Sequence, residues 1–140
     1  MTTLTVGVDH RDLSVAVLTV AADLGRRLDA DLHVLHAVDL RDYPIDPDAD
    51  NWEEQAGSAL AELRDTVSQT LADYPGRWAF DVKIGEPAPL LRTAADERDA
   101  LMIIVGHHRH WNPSRITRGS VGTALTRTTP RPVLLVPETP

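Results

Sequence analysis

The chain has 140 residues, of which 42% are hydrophobic and 25% charged, and a formal net charge of −7. This is the usual size of one domain, so we expect a single domain over residues 1–140 that folds without a disulfide or metal staple. The absence of cysteine excludes thiolate chemistry, and the acidic balance disfavours general nucleic-acid binding, which depends on neutralising phosphates.

The amino-terminal third predicts a strand, a helix and a second strand. The first residues lack the basic and apolar regions of a signal peptide. Residues 4–9 are rich in β-branched side chains and predict a buried strand that ends at Asp9. Asp12 or Ser14 is a candidate cap for the next helix. Its predicted apolar face comprises Val17, Val20, Ala21, Leu24 and Leu28.

Residues 31–38 predict the second strand, and we expect His33 and His36 to lie at its surface or in satisfied hydrogen bonds. Residues 39–51 contain two prolines and five aspartates, which is typical of a solvated loop. An amphipathic helix follows over about 52–73, with an apolar stripe of Leu60, Leu63, Val67 and Leu71.

The remaining elements continue the alternation of strands and helices. Residues 78–84 predict a strand with one exposed face, and Pro87 suits the first turn of a helix that runs to about residue 97. Residues 101–105 predict the fourth strand, 119–127 a helix and 131–136 the fifth strand. No apolar run approaches the roughly 20 residues that span a bilayer, so no membrane association is expected.

This order predicts an α/β fold with a parallel sheet and helices on both faces. Ligands of such sheets bind at the carboxyl ends of the strands, near the point where the strand order reverses. Here those ends carry Asp9, residues 37–38, Gly85 and Gly106.

The segment from Gly106 to Ser120 is the most informative motif. Gly106 leaves a buried strand, and Gly119 and Ser120 open a predicted helix, whose free N–H groups and partial positive charge favour a phosphate. Residues 109–131 carry five arginines and no acidic residue. These features indicate a local site for a small anion on an otherwise acidic protein.

At these positions the chain resembles the universal stress protein family, and the resemblance covers nearly the whole sequence. It includes the first strand ending in Asp9, the close of the second strand, the 85–87 turn, the 103–106 strand end and the last strand. The resemblance implies a five-stranded, Rossmann-like parallel sheet of the adenine nucleotide alpha hydrolase-like type. ATP-binding members of the family carry Gly, two residues, Gly, nine residues, Gly, then Ser or Thr.

By this resemblance the ligand would be ATP, with or without Mg²⁺. The implied binding residues, by role, are Asp9 for ribose, Ala37 for adenine, Val105 and Gly106 for the nucleoside pocket, and Gly119, Ser120 and Val121 for phosphates. Arg109 stands where the family has its second glycine. An arginine would either block a close backbone approach or replace that contact with a charged one to phosphate. The sequence leaves both alternatives open.

The hypothesis is therefore that the chain is a cytoplasmic, ATP-binding regulatory protein of stress responses. The resemblance also implies that it forms a homodimer through the carboxyl-terminal strand. The alternative is a dimeric interaction module that has lost ATP binding through Arg109, and a weaker third is a slow ATPase or phosphotransferase. No nucleophile elbow, carboxylate pair or Walker lysine indicates an enzyme. His107, His108 and His110 lack a neighbouring carboxylate or cysteine, which favours a solvated loop over a metal site.

Overall fold

A computed structural model of the protein describes residues 1–9, 13–39, 51–107 and 121–137. Its nine described elements alternate between strands and helices. In chain order they are β1 (Thr3–Val8), α1 (Leu13–Leu28), β2 (Asp31–Val38), α2 (Trp52–Thr70), β3 (Trp78–Ile84), α3 (Pro87–Glu97), β4 (Met102–His107), α4 (Val121–Thr128) and β5 (Val133–Pro137).

The five strands form one parallel sheet in the order β3-β2-β1-β4-β5. The central strand β1 places Val6 beside Val34 of β2 and Ile104 of β4. The chain builds outward from β1 to β3 and then crosses back to β4, so the strand order reverses between β1 and β4. The predicted α/β class with a five-stranded parallel sheet is confirmed.

The helices bury both faces of the sheet. Helices α1 and α2 pack over one face around the buried residues Leu4, Val6, Leu18 and Val67. Helices α3 and α4 cover the other face around Ile103 and Leu125. On that face Gly7 is required by close packing, because a Cβ there would lie 2.9 Å from Leu91 Cδ1 of α3.

The buried face of α1 differs from the predicted one at two positions. Val20 is 37% exposed and Leu28 is 39% exposed, whereas Leu18 is fully buried. The face that meets the sheet follows Ser14, Val17, Leu18 and Ala21, which lie about one helical turn apart. Leu28 is the last residue of α1 and follows Arg26 and Arg27, which are exposed as well.

Several element boundaries also differ from prediction. Helix α2 ends at Thr70, before the predicted limit of 73, and a turn follows it. Strand β4 runs two residues past the predicted 105, to His107, and β5 begins at Val133 rather than 131. Among the described residues, no helix is long and apolar enough to cross a membrane.

Helices α1 and α3 end in the same way, at the edge where the next strand begins. Asp29 and Asp99 follow them with left-handed φ angles of 53° and 48°. The next residue donates its N–H back into the helix, from Ala30 to Gly25 O at 2.8 Å and from Ala100 to Ala95 O at 2.9 Å. This pattern closes the last helical turn with backbone groups.

Candidate functional site

The carboxyl ends of β1 and β4 are neighbours at the point where the strand order reverses. Asp9 follows β1 directly. Gly106 is the second-to-last residue of β4 and is in register with Val136 of β5. Asp9 and Gly106 are both partly buried. The structure therefore brings these two predicted site residues to the same edge of the sheet, where open α/β sheets bind their ligands.

The other predicted site residues of the described chain lie around this edge. Ala37 is partly buried near the end of β2, in register with Lys83 of β3. The Val105 side chain is buried in the cluster beneath α3 and α4. Val121 is the first described residue of α4 and packs against the same cluster. Arg109, Gly119 and Ser120 lie outside the described residues.

Asp9 is tied to the beginning of α1 by Ser14. The Asp9 N–H donates to Ser14 Oγ at 3.0 Å, and the Ser14 hydroxyl donates to the Asp9 backbone carbonyl. Ser14 Oγ also lies 3.4 Å from Asp9 Oδ1. Ser14 was predicted as a possible helix cap, but it lies inside α1 and bonds backward to the end of β1. The alternative cap, Asp12, lies outside the described residues.

His36, on β2, forms a hydrogen bond to Val8, the residue before Asp9. Its Nδ1 lies 3.0 Å from the Val8 carbonyl oxygen, and Val8 and His36 are register partners. Because a carbonyl only accepts, this hydrogen bond requires the proton on Nδ1. The expectation of satisfied hydrogen bonds for His33 and His36 is confirmed for these ring nitrogens, His33 Nε2 lying 2.6 Å from Asp81 Oδ2. Both rings are buried rather than at the strand surface.

Sequence reasoning identified Asp9 but not the two side chains that hold it. Ser14 carries a weak signal, a hydroxyl five residues after the strand-end acid. His36 carries another, a polar ring within an otherwise apolar strand. His107 ends β4 with an exposed side chain, while His108 and His110 lie outside the described residues. Within the described ranges, no group of three or more metal-ligating side chains occurs.

Asp81, which lies away from this edge, has a shifted pKa. The hydrogen bond from His33 lowers the pKa of Asp81 below its ordinary value, and burial opposes that effect only in part. His33 is buried in β2 and Asp81 lies on the outer strand β3. The pair therefore ties the middle of the sheet to its edge and is not part of the site around Asp9.

Comparison with known proteins gives a family match over almost the whole length of the chain. The model of the universal stress protein family matches residues 1–137. A search of curated proteins finds no match.

Solved structures with the same fold cover nearly the whole chain. A universal stress protein in complex with cAMP has a TM-score of 0.68 at 21% identity, covering 96% of this chain and 95% of that one. UspA from Lactobacillus plantarum has a TM-score of 0.73 at 22% identity, covering 96% of this chain and 97% of that one. A universal stress protein from Archaeoglobus fulgidus in complex with dAMP has a TM-score of 0.63 at 21% identity, covering 97% of this chain and 98% of that one.

Proposed function

This chain belongs to the universal stress protein family, and from that premise we propose that it binds an adenine nucleotide, ATP in particular, as a regulatory protein of a stress response. The observation that carries the proposal is Asp9. Asp9 follows the central strand where the strand order reverses, and the buried Ser14 side chain holds its backbone. An acid in that place suits hydrogen bonds to ribose hydroxyl groups, since an ionised carboxylate is a strong acceptor.

Two structural relatives support the adenine nucleotide class, because one is in complex with cAMP and another with dAMP. The choice of ATP among such nucleotides has its support in the sequence. The spacing from Gly106 to Gly119 and Ser120 fits the pattern of the ATP-binding members, and Arg109, Arg115 and Arg118 supply cations between them. A nucleoside triphosphate carries the anionic groups that such a segment would hold.

The test is a calorimetric titration of the protein with ATP, with and without Mg²⁺, together with mass spectrometry of gently purified protein. We expect Asp9→Ala to weaken ATP binding by tenfold or more, since a hydrogen bond to a charged group is worth about 1.5–3 kcal/mol. Asp65→Ala is the matched control, because it removes the same charge from an exposed position on α2. Equal affinity of Asp9→Ala and the parent would remove Asp9 from the site.

A second candidate function, the interaction module without nucleotide, depends on Arg109. We favour retained binding, because Asp9, Gly106, Gly119 and Ser120 match the family pattern and the charge of arginine complements phosphate. Arg109→Ala should then weaken the binding of ATP more than the binding of adenosine. The opposing result is a parent that binds no ATP and an Arg109→Gly variant that does, which would show that arginine blocks the pocket.

The proposal includes a homodimer formed through β5 in a cytoplasmic protein. Strand β5 is an edge of the sheet, and both Leu134 and Leu135 are partly exposed on it. An apolar edge strand offers unpaired backbone groups to a second chain. A cysteine-free sequence also fits a reducing compartment. Sedimentation at micromolar concentration should give a dimer that Leu134→Asp dissociates, and a monomeric parent would contradict it.

A further inference from the structure

We propose that Ser14 and His36 are positioning residues that jointly fix the Val8–Asp9 peptide group and thereby aim the Asp9 carboxylate at the nucleotide, an inference that rests on the proposed function. The Val8 carbonyl and the Asp9 N–H are the two polar ends of one peptide group. His36 Nδ1 donates to the carbonyl end at 3.0 Å, and Ser14 Oγ accepts from the N–H end at 3.0 Å.

The chemistry of each side chain suits this double hold. A hydroxyl has one donor and two acceptor positions. Ser14 uses its donor on the Asp9 carbonyl and one acceptor on the Asp9 N–H, so a single side chain binds both backbone groups of that residue. Alanine at position 14 would remove both bonds, whereas threonine would keep the hydroxyl.

Burial makes the two bonds difficult to replace. Ser14 is 3% exposed and His36 is 1% exposed. Water therefore has little access to substitute for either side chain, and a buried peptide group left without its partner is costly. The two side chains come from different elements, α1 and β2, so the peptide is held against both the helix and the neighbouring strand.

This hold matters because Asp9 is the first residue beyond the ladder of β1. A carboxylate there would have more rotational freedom if its own backbone were loose, and ordering it on binding would reduce affinity. Fixing the peptide sets the Cα–Cβ direction before the nucleotide arrives. Ser14 and His36 thus act on the ligand only through Asp9, which separates a positioning role from a direct contact.

The experiment measures ATP affinity by calorimetry for Ser14→Ala, for the conservative Ser14→Thr, and for both changes in the Asp9→Ala background. We expect Ser14→Ala to raise Kd about fivefold, as the loss of about one net hydrogen bond implies, and Ser14→Thr to restore most of the affinity. In the Asp9→Ala background neither change should alter Kd further, because the group they position is gone.

His36 is tested by a pair of variants with the same readout. Asparagine places a side-chain N–H donor near the position of Nδ1, whereas leucine has none. His36→Asn should therefore keep more of the ATP affinity than His36→Leu. If both lose it equally while both remain folded, the His36 half of the inference fails.

Amide hydrogen exchange of Asp9 supplies a readout that needs no ligand. The Asp9 N–H should exchange slowly in the parent and at least tenfold faster in Ser14→Ala, while Ser14→Thr keeps it slow. An unchanged exchange rate in Ser14→Ala overturns the inference, even if affinity falls.

The outcomes separate this inference from the proposed function. If the parent binds no nucleotide, the proposed function fails and this inference falls with it. If the parent binds ATP but Asp9→Ala binds it equally well, Asp9 is not in the site and this inference fails while nucleotide binding stands. If Asp9→Ala weakens ATP but Ser14→Ala does not, the inference alone is overturned.

Discussion

The two ends of the parallel sheet hold their aspartates in different ways. At the end where β2 and β4 begin, Asp29 and Asp99 adopt left-handed φ angles and backbone bonds close the preceding helices around them. At the opposite end, Asp9 follows β1, and the buried side chains of Ser14 and His36 hold the Val8–Asp9 peptide group.

The amino-terminal edge of the sheet is thus closed mainly by the backbone itself, whereas the carboxyl edge depends on specific side chains. Backbone closure tolerates changes of side chain so long as the φ angle remains accessible. At the carboxyl edge, the side chain of Ser14 fixes the backbone of Asp9, the candidate ligand-binding residue. We infer that changes at the first edge alter the free energy of unfolding, and that changes at the second alter nucleotide affinity.

The largest expected effect on stability is that of Asp29→Val. The residue has a φ of 53°, and a β-branched side chain is strongly disfavoured in that region. We expect the free energy of unfolding to fall by about 1–2 kcal/mol, with ATP affinity unchanged. Denaturant titration and calorimetry measure the two quantities.

Asp65→Val is the control for Asp29→Val, because position 65 is exposed within the right-handed helix α2. It should cost only a few tenths of a kcal/mol. If Asp29→Val instead weakened ATP binding without loss of stability, the proposed separation between the two edges would be wrong.

Tyr74→Phe has the next largest expected effect on the free energy of unfolding. The Tyr74 hydroxyl donates to the Ala30 carbonyl, in the same junction as Asp29, and burial raises the pKa of this phenol, helped by Asp31 and Asp29. Removing the hydroxyl should cost about 1 kcal/mol of unfolding free energy at neutral pH. Because the folded pKa is raised, the hydroxyl's contribution is full below the unfolded pKa of about 10 and is lost as pH rises through the higher, folded value.

Stability measured from neutral to alkaline pH checks this expectation. The difference between the parent and Tyr74→Phe should shrink as pH rises beyond roughly 10. A constant difference across that range would mean that the hydroxyl contributes by packing beside Gly25 rather than through its hydrogen bond.

The sequence predicted the order of the elements and the position of Asp9, because β-branched runs, apolar spacing and strand-end acids are local signals. For α1 it correctly predicted Val17 and Ala21 on the buried face, but it missed Leu18 and wrongly included Val20. The exposure of Val20 depends on how the helix sits on the sheet, which is a long-range property. The same limit applies to His36, whose role requires that β1 and β2 be in register.

The His33–Asp81 pair lies between the two edges and should affect stability alone. The hydrogen bond from His33 lowers the pKa of Asp81 in the folded state, so the pair stabilises above the unfolded pKa of about 3.9. That contribution is lost as pH falls through the lower, folded value. Because the carboxylate is 47% exposed, water screens the pair and the effect should stay below about 1 kcal/mol.

Urea denaturation between roughly pH 6 and pH 3 tests the Asp81 contribution. Asp81→Asn should be less stable than the parent at pH 6, and the difference should narrow on acidification. Asp65→Asn, with the same change of charge on the surface of α2, should show neither effect. A difference for Asp81→Asn that grows as pH falls would have the wrong sign for this pair.

The smallest expected effect is the difference in stability between Asp29→Gly and Asp99→Gly. Glycine adopts a left-handed φ without the cost that other residues bear, but it also gives the unfolded chain more freedom. The net gain at position 29 should be a few tenths of a kcal/mol. Asp99 also accepts a hydrogen bond from Arg131 Nη1 at 3.2 Å in an exposed ion pair, so Asp99→Gly should gain less. Since salt screens such pairs, the two variants should converge in stability at 1 M NaCl, and ATP affinity should match the parent in both. A gap that persists in high salt would mean that the two junctions differ in their backbone closure, and not only in the ion pair of Asp99.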